Sequence, residues 1–230
     1  MSVSNFYYIT VATISHPILE KLKKNVKEKG ETIEVLGEQE KRVIGHENQQ
    51  RFGIKLREVS NFLKRPTLNP EDIILFTDGF DVAYFGTKEE ILRRYYQFNH
   101  PIVFGCETDC WPDPNRVSEY MAKNATKAGV EFPYLNSGMF IGTVDALRKC
   151  IINYNYNDKD DDQRYWTTQY LENPQLITLD YYNFLFLNTS GYQESFFTYD
   201  IENNVAYYKA SNPQFVHVNG PDKSFINQLY

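Results

Sequence analysis

The stretch Ile73-Ile74-Leu75-Phe76-Thr77-Asp78-Gly79-Phe80-Asp81 decides how the chain is read. Its apolar run has the pattern of a buried strand. It stops at Asp78 and Asp81, two carboxylates three residues apart. Open α/β sheets deliver ligand-binding groups at the carboxyl ends of their strands. Gly79 permits a tight turn there, so both carboxylates can face one point. Two hard oxygen ligands beside the ring of Phe80 suit a divalent cation that carries a nucleotide diphosphate. The plainer alternative is a strand-to-turn junction, where Asp and Gly are common for local reasons.

Strand and helix signals alternate outward from this stretch, which argues for an α/β fold. Upstream, Tyr7 to Ala12 reads as a strand. Pro17 opens a helix in which Ile18, Leu22 and Val26 recur every fourth residue, and Gly30 can end it. Ile33 to Leu36 is a short strand, and a polar loop with Gly37, Gly45 and His46 follows. Phe52, Leu56, Val59 and Leu63 mark a second helix, which stops before Pro66. Downstream, Thr87-Lys88-Glu89-Glu90 is a capping box for a helix to about Phe98. Ile102-Val103-Phe104 reads as a strand, and residues 107–133 read as an irregular, mobile lid or binding loop. Leu135 to Ile141 resumes the sheet, and Val144 to Ile152 is helical. An acidic run, Asp158 to Asp162, precedes a helix from about Gln163 to Leu171. Short strands are expected near residues 175–178, 184–186 and 204–207. In residues 214–220, Val216 and Val218 face one side, while Phe215, His217 and Asn219 face the other.

The 230 residues suffice for a substantial core, and one domain over residues 1–230 is the economical reading. A net charge of −6 argues against a general nucleic-acid or membrane surface. Cys106, Cys110 and Cys150 give no even disulfide framework and no zinc pattern. No stretch is long enough to span a bilayer. The start, Ser4 to Ala12, reads as a strand rather than a signal peptide.

Three further polar clusters stand out. His217-Val218-Asn219-Gly220-Pro221-Asp222-Lys223 offers an imidazole, a small-residue turn that lets backbone approach phosphate, and a neutralising lysine. By itself it also reads as a surface turn. Asp160-Asp161-Asp162 either favours the following helix N-terminus or lines a sugar pocket. Trp111, in Cys110-Trp111-Pro112, is either a packing anchor or a gate that closes over a sugar.

Six ordered blocks resemble the N-terminal glycosyltransferase domain of the multifunctional procollagen lysyl hydroxylases. They are Thr10-Val11-Ala12-Thr13, Phe76 to Asp81, Cys110-Trp111-Pro112, Leu135 to Gly142, Asp160 to Gln163 and His217 to Lys223. The resemblance implies a GT-A type, Rossmann-like domain with a mixed, mainly parallel sheet. It implies Mn²⁺, UDP-glucose as donor, and transfer of glucose to galactosyl-hydroxylysine of collagen or a collagen-like chain. By that resemblance Asp78, Asp81 and His217 hold the metal. Thr13 and Phe80 contact the uridine, where the family commonly has Tyr in place of Phe80. Lys55 and Lys223 meet the diphosphate, supported by Asn219 and Gly220. Asp161 and Asp162 serve the sugar and acceptor, with Trp111 as the gate. The family's His-Gly-Asn-Gly here reads His-Val-Asn-Gly, so Val218 is expected to add bulk beside the phosphate. The hydroxylase's iron-binding His-x-Asp pattern is absent, so no hydroxylase activity is expected. Animal members work in the endoplasmic reticulum lumen, whereas this chain, if full length, is expected in the cytoplasm. Two rival functions share the scaffold: a galactosyltransferase acting on hydroxylysine itself, and an inert accessory domain.

Overall fold

The computed structural model describes residues 4–45, 52–123 and 129–230. The expected polar loop at His46 lies outside the described residues. The first half runs β1 (Phe6–Val11), α1 (Pro17–Glu28), β2 (Ile33–Leu36), α2 (Gly53–Leu63), β3 (Ile73–Thr77), β4 (Val82–Tyr84) and α3 (Lys88–Tyr95). Next come β5 (Ile102–Glu107), α4 (Val117–Lys123), β6 (Tyr134–Thr143), α5 (Val144–Ile151) and α6 (Asp162–Glu172). The chain continues with β7 (Ile177–Leu179), β8 (Phe186–Asn188), β9 (Phe197–Asp200), β10 (Val205–Tyr208) and β11 (Phe215–His217). No helix among the described residues is long and apolar enough to cross a membrane.

The helix starts follow local chemistry. His16 caps α1, its Nδ1 accepting from Ile18 N–H, with Pro17 in the first turn. Thr87 caps α3 by accepting from Glu90 N–H at 3.3 Å. The expected capping box is half built. Glu90 does not return to the Thr87 backbone but binds Arg93 and Arg94, both charge-assisted contacts.

Six strands form the central sheet in the order β2-β1-β3-β6-β5-β7. Three pairings are parallel and two, those of β6 with β3 and β5, are antiparallel. The fold class is therefore the expected mixed α/β. Alternate residues point to opposite faces. Ile74, Phe76, Phe104 and Phe140 enter a core that α2, α5 and α6 cover. Ile73, Leu75, Val103 and Ile141 enter a second core with Leu22 and Val26 of α1 and Ile91 of α3. Cover on both faces is why β3 is buried along its whole length and reads as an unbroken apolar run.

A second sheet, β4-β11-β8, was not expected from the sequence. The strand expected near 184–186 and the alternation over 214–220 fall at or beside β8 and β11, but three-residue strands carry no signal of how they pair. It carries the site's histidine, and Asp180 holds it against the central sheet. The Asp180 carboxylate accepts the backbone N–H groups of Phe184, Leu185 and Phe186 at 2.8, 2.5 and 2.9 Å, which fixes the entry into β8. Burial pushes its pKa up to about 6.

The described parts of the segment 107–133, residues 107–123 and 129–133, hold more regular structure than expected. The segment contains a 3₁₀ turn at Pro114–Arg116 and α4. Tyr120 anchors it, buried to 2% exposure, edge-on to Tyr134, tilted against Tyr170 and hydrogen-bonded to Thr167. A seven-residue helix is too short to show an amphipathic stripe in sequence.

Replacing Asp180 with Ala leaves three buried donors without their acceptor. The expected loss is about 2–4 kcal/mol of unfolding free energy, read from urea titrations at unchanged slope. A loss below about 0.5 kcal/mol, the size of an ordinary surface change, contradicts this role.

Candidate active site

The carboxyl end of β3, the start of β4 and the end of β11 meet at one point. Asp78 follows β3, and its N–H donates to Gly138 O on β6 at 2.7 Å. Asp81 precedes β4, and its carbonyl accepts from Val218 N–H at 2.8 Å. In the antiparallel register of β11 with β4, His217 lies opposite Val82, next to Asp81. One ligand atom from each of Asp78, Asp81 and His217 lies within 4.8 Å of the others. His217 Nε2 is 3.3 Å from Asp81 Oδ1 and 3.8 Å from Asp78 Oδ2.

Two glycines make room for this cluster. Gly79 does not have the positive φ that a tight turn would demand. It is needed for close approach, since a Cβ there would sit 3.0 Å from Thr10 Oγ1 and 3.3 Å from Leu19 Cδ1. A Cβ on Gly138 would lie 2.3 Å from His217 Cε1, so that position must stay bare for the imidazole to fit.

The imidazole is oriented from behind. Parallel pairing of β11 with β8 sets Asn188 beside His217. Asn188 Nδ2 donates to Cys106 O at 2.9 Å, so its Oδ1 is the acceptor for His217 Nδ1 at 2.8 Å. The ring is thereby fixed with Nε2 facing the two carboxylates. Asp81 Oδ1 is buried and accepts no hydrogen bond. Lone pairs from two carboxylates and one imidazole facing a common point fit a divalent cation.

Lysines flank the acids. Lys55 Nζ is 2.7 Å from Asp78 Oδ1 and 3.0 Å from Asp162 Oδ2. Burial opposes its charge, but Asp162 and then Asp78 outweigh that and raise its pKa above the ordinary lysine value. Lys223 pairs with Asp81 Oδ2 while half of its side chain remains exposed. Burial alone would raise the Asp81 pKa. His217 and then Lys223 outweigh it and hold the carboxyl well below the usual range.

The acidic run divides its labour. Asp158 forms a two-point pair with Arg42, and Asp160 accepts from the Tyr154 hydroxyl. Asp161 is the cap of α6, accepting from Arg164 N–H at 2.9 Å, and burial followed by the Asp162 charge raises its pKa. Asp162 turns inward, held by Lys55 and by the Ser137 hydroxyl at 3.0 Å. Of the pair, only Asp162 is joined to the metal-side cluster by a direct contact, through Lys55.

Other expected residues surround this centre. Thr13 is buried with an Oγ1 that has no partner, and it lines a cavity of about 310 Å³ with Ser15, Glu38 and Lys41. The Phe80 ring is stacked on His16, centroids 4.6 Å apart. Trp111 is 57% exposed. Gly220 has φ +92°, a conformation that favours glycine. The Asn219 amide is engaged by Ser190 N–H and Glu107 Oε2. Val218 does not crowd the site: its side chain is 2% exposed and packs with Val216 in the core, as the alternation along β11 requires. A larger cavity, about 810 Å³, lies elsewhere, among Phe132, Tyr181 and Tyr208. None of the site residues lines it.

Glu107 is the functional candidate that sequence reasoning missed. It ends β5 as Asp78 follows β3, an apolar run closed by a carboxylate, so the same rule could have found it. Its oxygens accept from Gln163 Nε2 and Asn219 Nδ2. Burial pushes its pKa up to about 7, against the pull of hydrogen bonds from Gln163 and Asn136. A carboxyl whose folded pKa exceeds its unfolded one binds more protons when folded. Its contribution therefore falls as pH rises from the ordinary value of 4.5 to about 7. Glu107→Gln should flatten that part of the stability profile, measured as melting temperature against pH without added metal. An identical slope in both proteins contradicts the assignment.

A multifunctional procollagen lysine hydroxylase and glycosyltransferase of Caenorhabditis elegans is 33% identical over 232 residues, which cover 96% of this chain and 31% of that protein. The multifunctional procollagen lysine hydroxylase and glycosyltransferase LH3 of Rattus norvegicus is 32% identical over 187 residues, 77% of this chain and 24% of that protein. The chain thus spans a third or less of the length of these relatives. The family model described as the PLOD GT domain matches residues 2–230, and the chain belongs to that glycosyltransferase family.

Proposed function

We propose that this glycosyltransferase domain moves glucose from UDP-glucose to galactosyl-hydroxylysine in collagen or a collagen-like chain, with Mn²⁺ and with retention at the anomeric carbon. The observation that carries the reading is the meeting of Asp78, Asp81 and His217 Nε2, with Lys223 and Lys55 on the same carboxylates. The relatives, named for both procollagen lysine hydroxylation and glycosyl transfer, are much longer chains, so only the transfer half is proposed here.

In this reading Asp78, Asp81 and His217 would hold a divalent cation, which would supply charge stabilisation to the leaving diphosphate. Lys223, half exposed over Asp81, turns to a phosphate oxygen when the donor arrives. Lys55 stays buried and keeps Asp78 and Asp162 at fixed separation. Asn219 and Gly220 close the phosphate end. Thr13 offers its unpartnered hydroxyl to the uridine, and the Phe80 ring stacks on the base, so His16 must share or yield that face. Asp162 orients the sugar or acceptor hydroxyl, and Asp161 sets the start of the helix that carries it. Trp111 covers the donor and excludes water, which would otherwise hydrolyse it.

UDP release dependent on Mn²⁺ is the first test. Mass spectrometry of a hydroxylated collagen peptide, before and after enzymatic galactosylation, is the second. UDP-glucose should add a hexose to the galactosylated peptide and little to the bare one, because a site that hydrogen-bonds galactose discriminates against its absence. Equal addition from UDP-galactose to bare hydroxylysine would move the assignment to galactosyl transfer. No UDP release with any donor would leave an inert accessory domain.

Asp81→Ala should lose at least ~10²-fold in turnover, the scale of removing a metal ligand or directed charge stabilisation. Full activity of that variant in chelator-treated buffer ends the metal assignment.

A further inference from the structure

Trp111 stands on a loop, and its indole is more than half exposed. Its backbone is not free. Gln163, the second residue of α6, is 9% exposed and spends its whole amide on three other segments. Nε2 donates to Trp111 O at 2.7 Å and to Glu107 Oε1 at 2.5 Å. Oε1 accepts from Ser137 N–H at 3.3 Å. An amide nitrogen has two donor hydrogens, and both are used. Arg164, the next residue, forks onto both oxygens of Asp113 at 2.7 and 2.9 Å. One helical turn on, Thr168 accepts from Arg116 at 2.9 Å. The loop is thus laid along the helix that carries Asp162.

The contacts continue past Glu107. Its second oxygen accepts from Asn219 at 2.7 Å, two residues beyond His217. A run of hydrogen bonds therefore joins Trp111 O, Gln163, Glu107 and Asn219.

We propose that Gln163 is a positioning residue: its amide seats the Trp111 loop on the first turn of α6, so that the indole and the Asp162 carboxylate approach the sugar end of the site as one unit. The argument rests on the functional reading above for what lies beneath the indole. The seating itself rests only on the contacts. Replacing the amide by an apolar side chain of similar size releases Trp111 O and leaves Glu107 short of a donor. It also leaves Ser137 N–H without its acceptor, but Gln163 itself makes no direct contact with Asp78, Asp81, His217 or the Thr13 cavity. The expected signature is loss of turnover and of coupling, not loss of nucleotide binding.

The test uses Gln163→Leu in the full chain. Transfer turnover should fall ~10-fold or more, the scale of a lost positioning contact, while UDP affinity with Mn²⁺ stays within about twofold by calorimetry. The ratio of UDP-glucose hydrolysis to transfer should rise, because a loosened cover admits water. A fluorescence readout is independent of catalysis. The chain has two tryptophans, and Trp166 is 2% exposed against 57% for Trp111, so acrylamide quenching reports Trp111. Quenching should change in Gln163→Leu relative to the unaltered chain. Should that variant not fold, Arg164→Gln, which acts at a half-exposed ion pair with Asp113, should shift quenching and coupling in the same direction by less. Unchanged quenching and unchanged coupling in a folded variant overturn the proposal. If the unaltered chain binds no UDP, the functional reading fails and quenching alone decides whether Gln163 seats the loop.

Discussion

Four carboxylates, Asp78, Asp81, Asp162 and Glu107, converge at one edge of the central sheet, and most of their atoms are out of water. That concentration of negative charge is the constraint from which the rest of the site follows. Isolated buried charges are not tolerated, so each must be paired, hydrogen-bonded or neutralised. Lys55 serves Asp78 and Asp162 together, Lys223 serves Asp81, and His217 lies between the aspartates. Glu107 takes the remaining route: amides of Gln163 and Asn219 hold it, and burial favours its neutral form. Each solution draws on a different element, which is why residues from α2, β5, α6 and the segment after β11 are needed at a single point.

The central sheet was largely legible in the sequence because its strands are buried on both faces and read as apolar runs. Asp78 and Asp81 stand out for the same reason, as polar residues at the end of such a run. The second sheet was not legible. Val82–Tyr84 and Phe186–Asn188 are three residues each, and their pairing with β11 depends on contacts distant in sequence. Asn188 left no signal, since an asparagine after two apolar residues is equally at home in a turn. Its role appears only when the register sets it beside His217. Gln163 stood in a recognised block, but nothing in the block tells that its side chain bonds the backbone of Trp111.

The acidic run shows how one composition covers several roles. Read as a string, Asp158 to Asp162 is a solvated patch or a helix start. The structure uses its members separately: one in an ion pair, one on a tyrosine hydroxyl, one as a cap, and one pointing inward. Asp161 and Asp162 are equally buried, but Asp161 is the extended cap residue bonded to the helix backbone, whereas Asp162 is the first helical residue and reaches Lys55 and Ser137.

The ligand triad draws Asp78 from the end of the central sheet and His217 from the second, smaller sheet. A cation held there, as proposed, would add a clasp between two layers already joined by apolar contacts, the Asp180 anchor and the Asn188–Cys106 and Asn219–Glu107 hydrogen bonds. Only the closed arrangement presents all three donors, so occupancy and layer closure are thermodynamically linked. On that proposal, free metal concentration would be a variable of stability as well as of chemistry. Were that cation bound, removing it with a chelator would weaken the hold of the second sheet independently of any ligand.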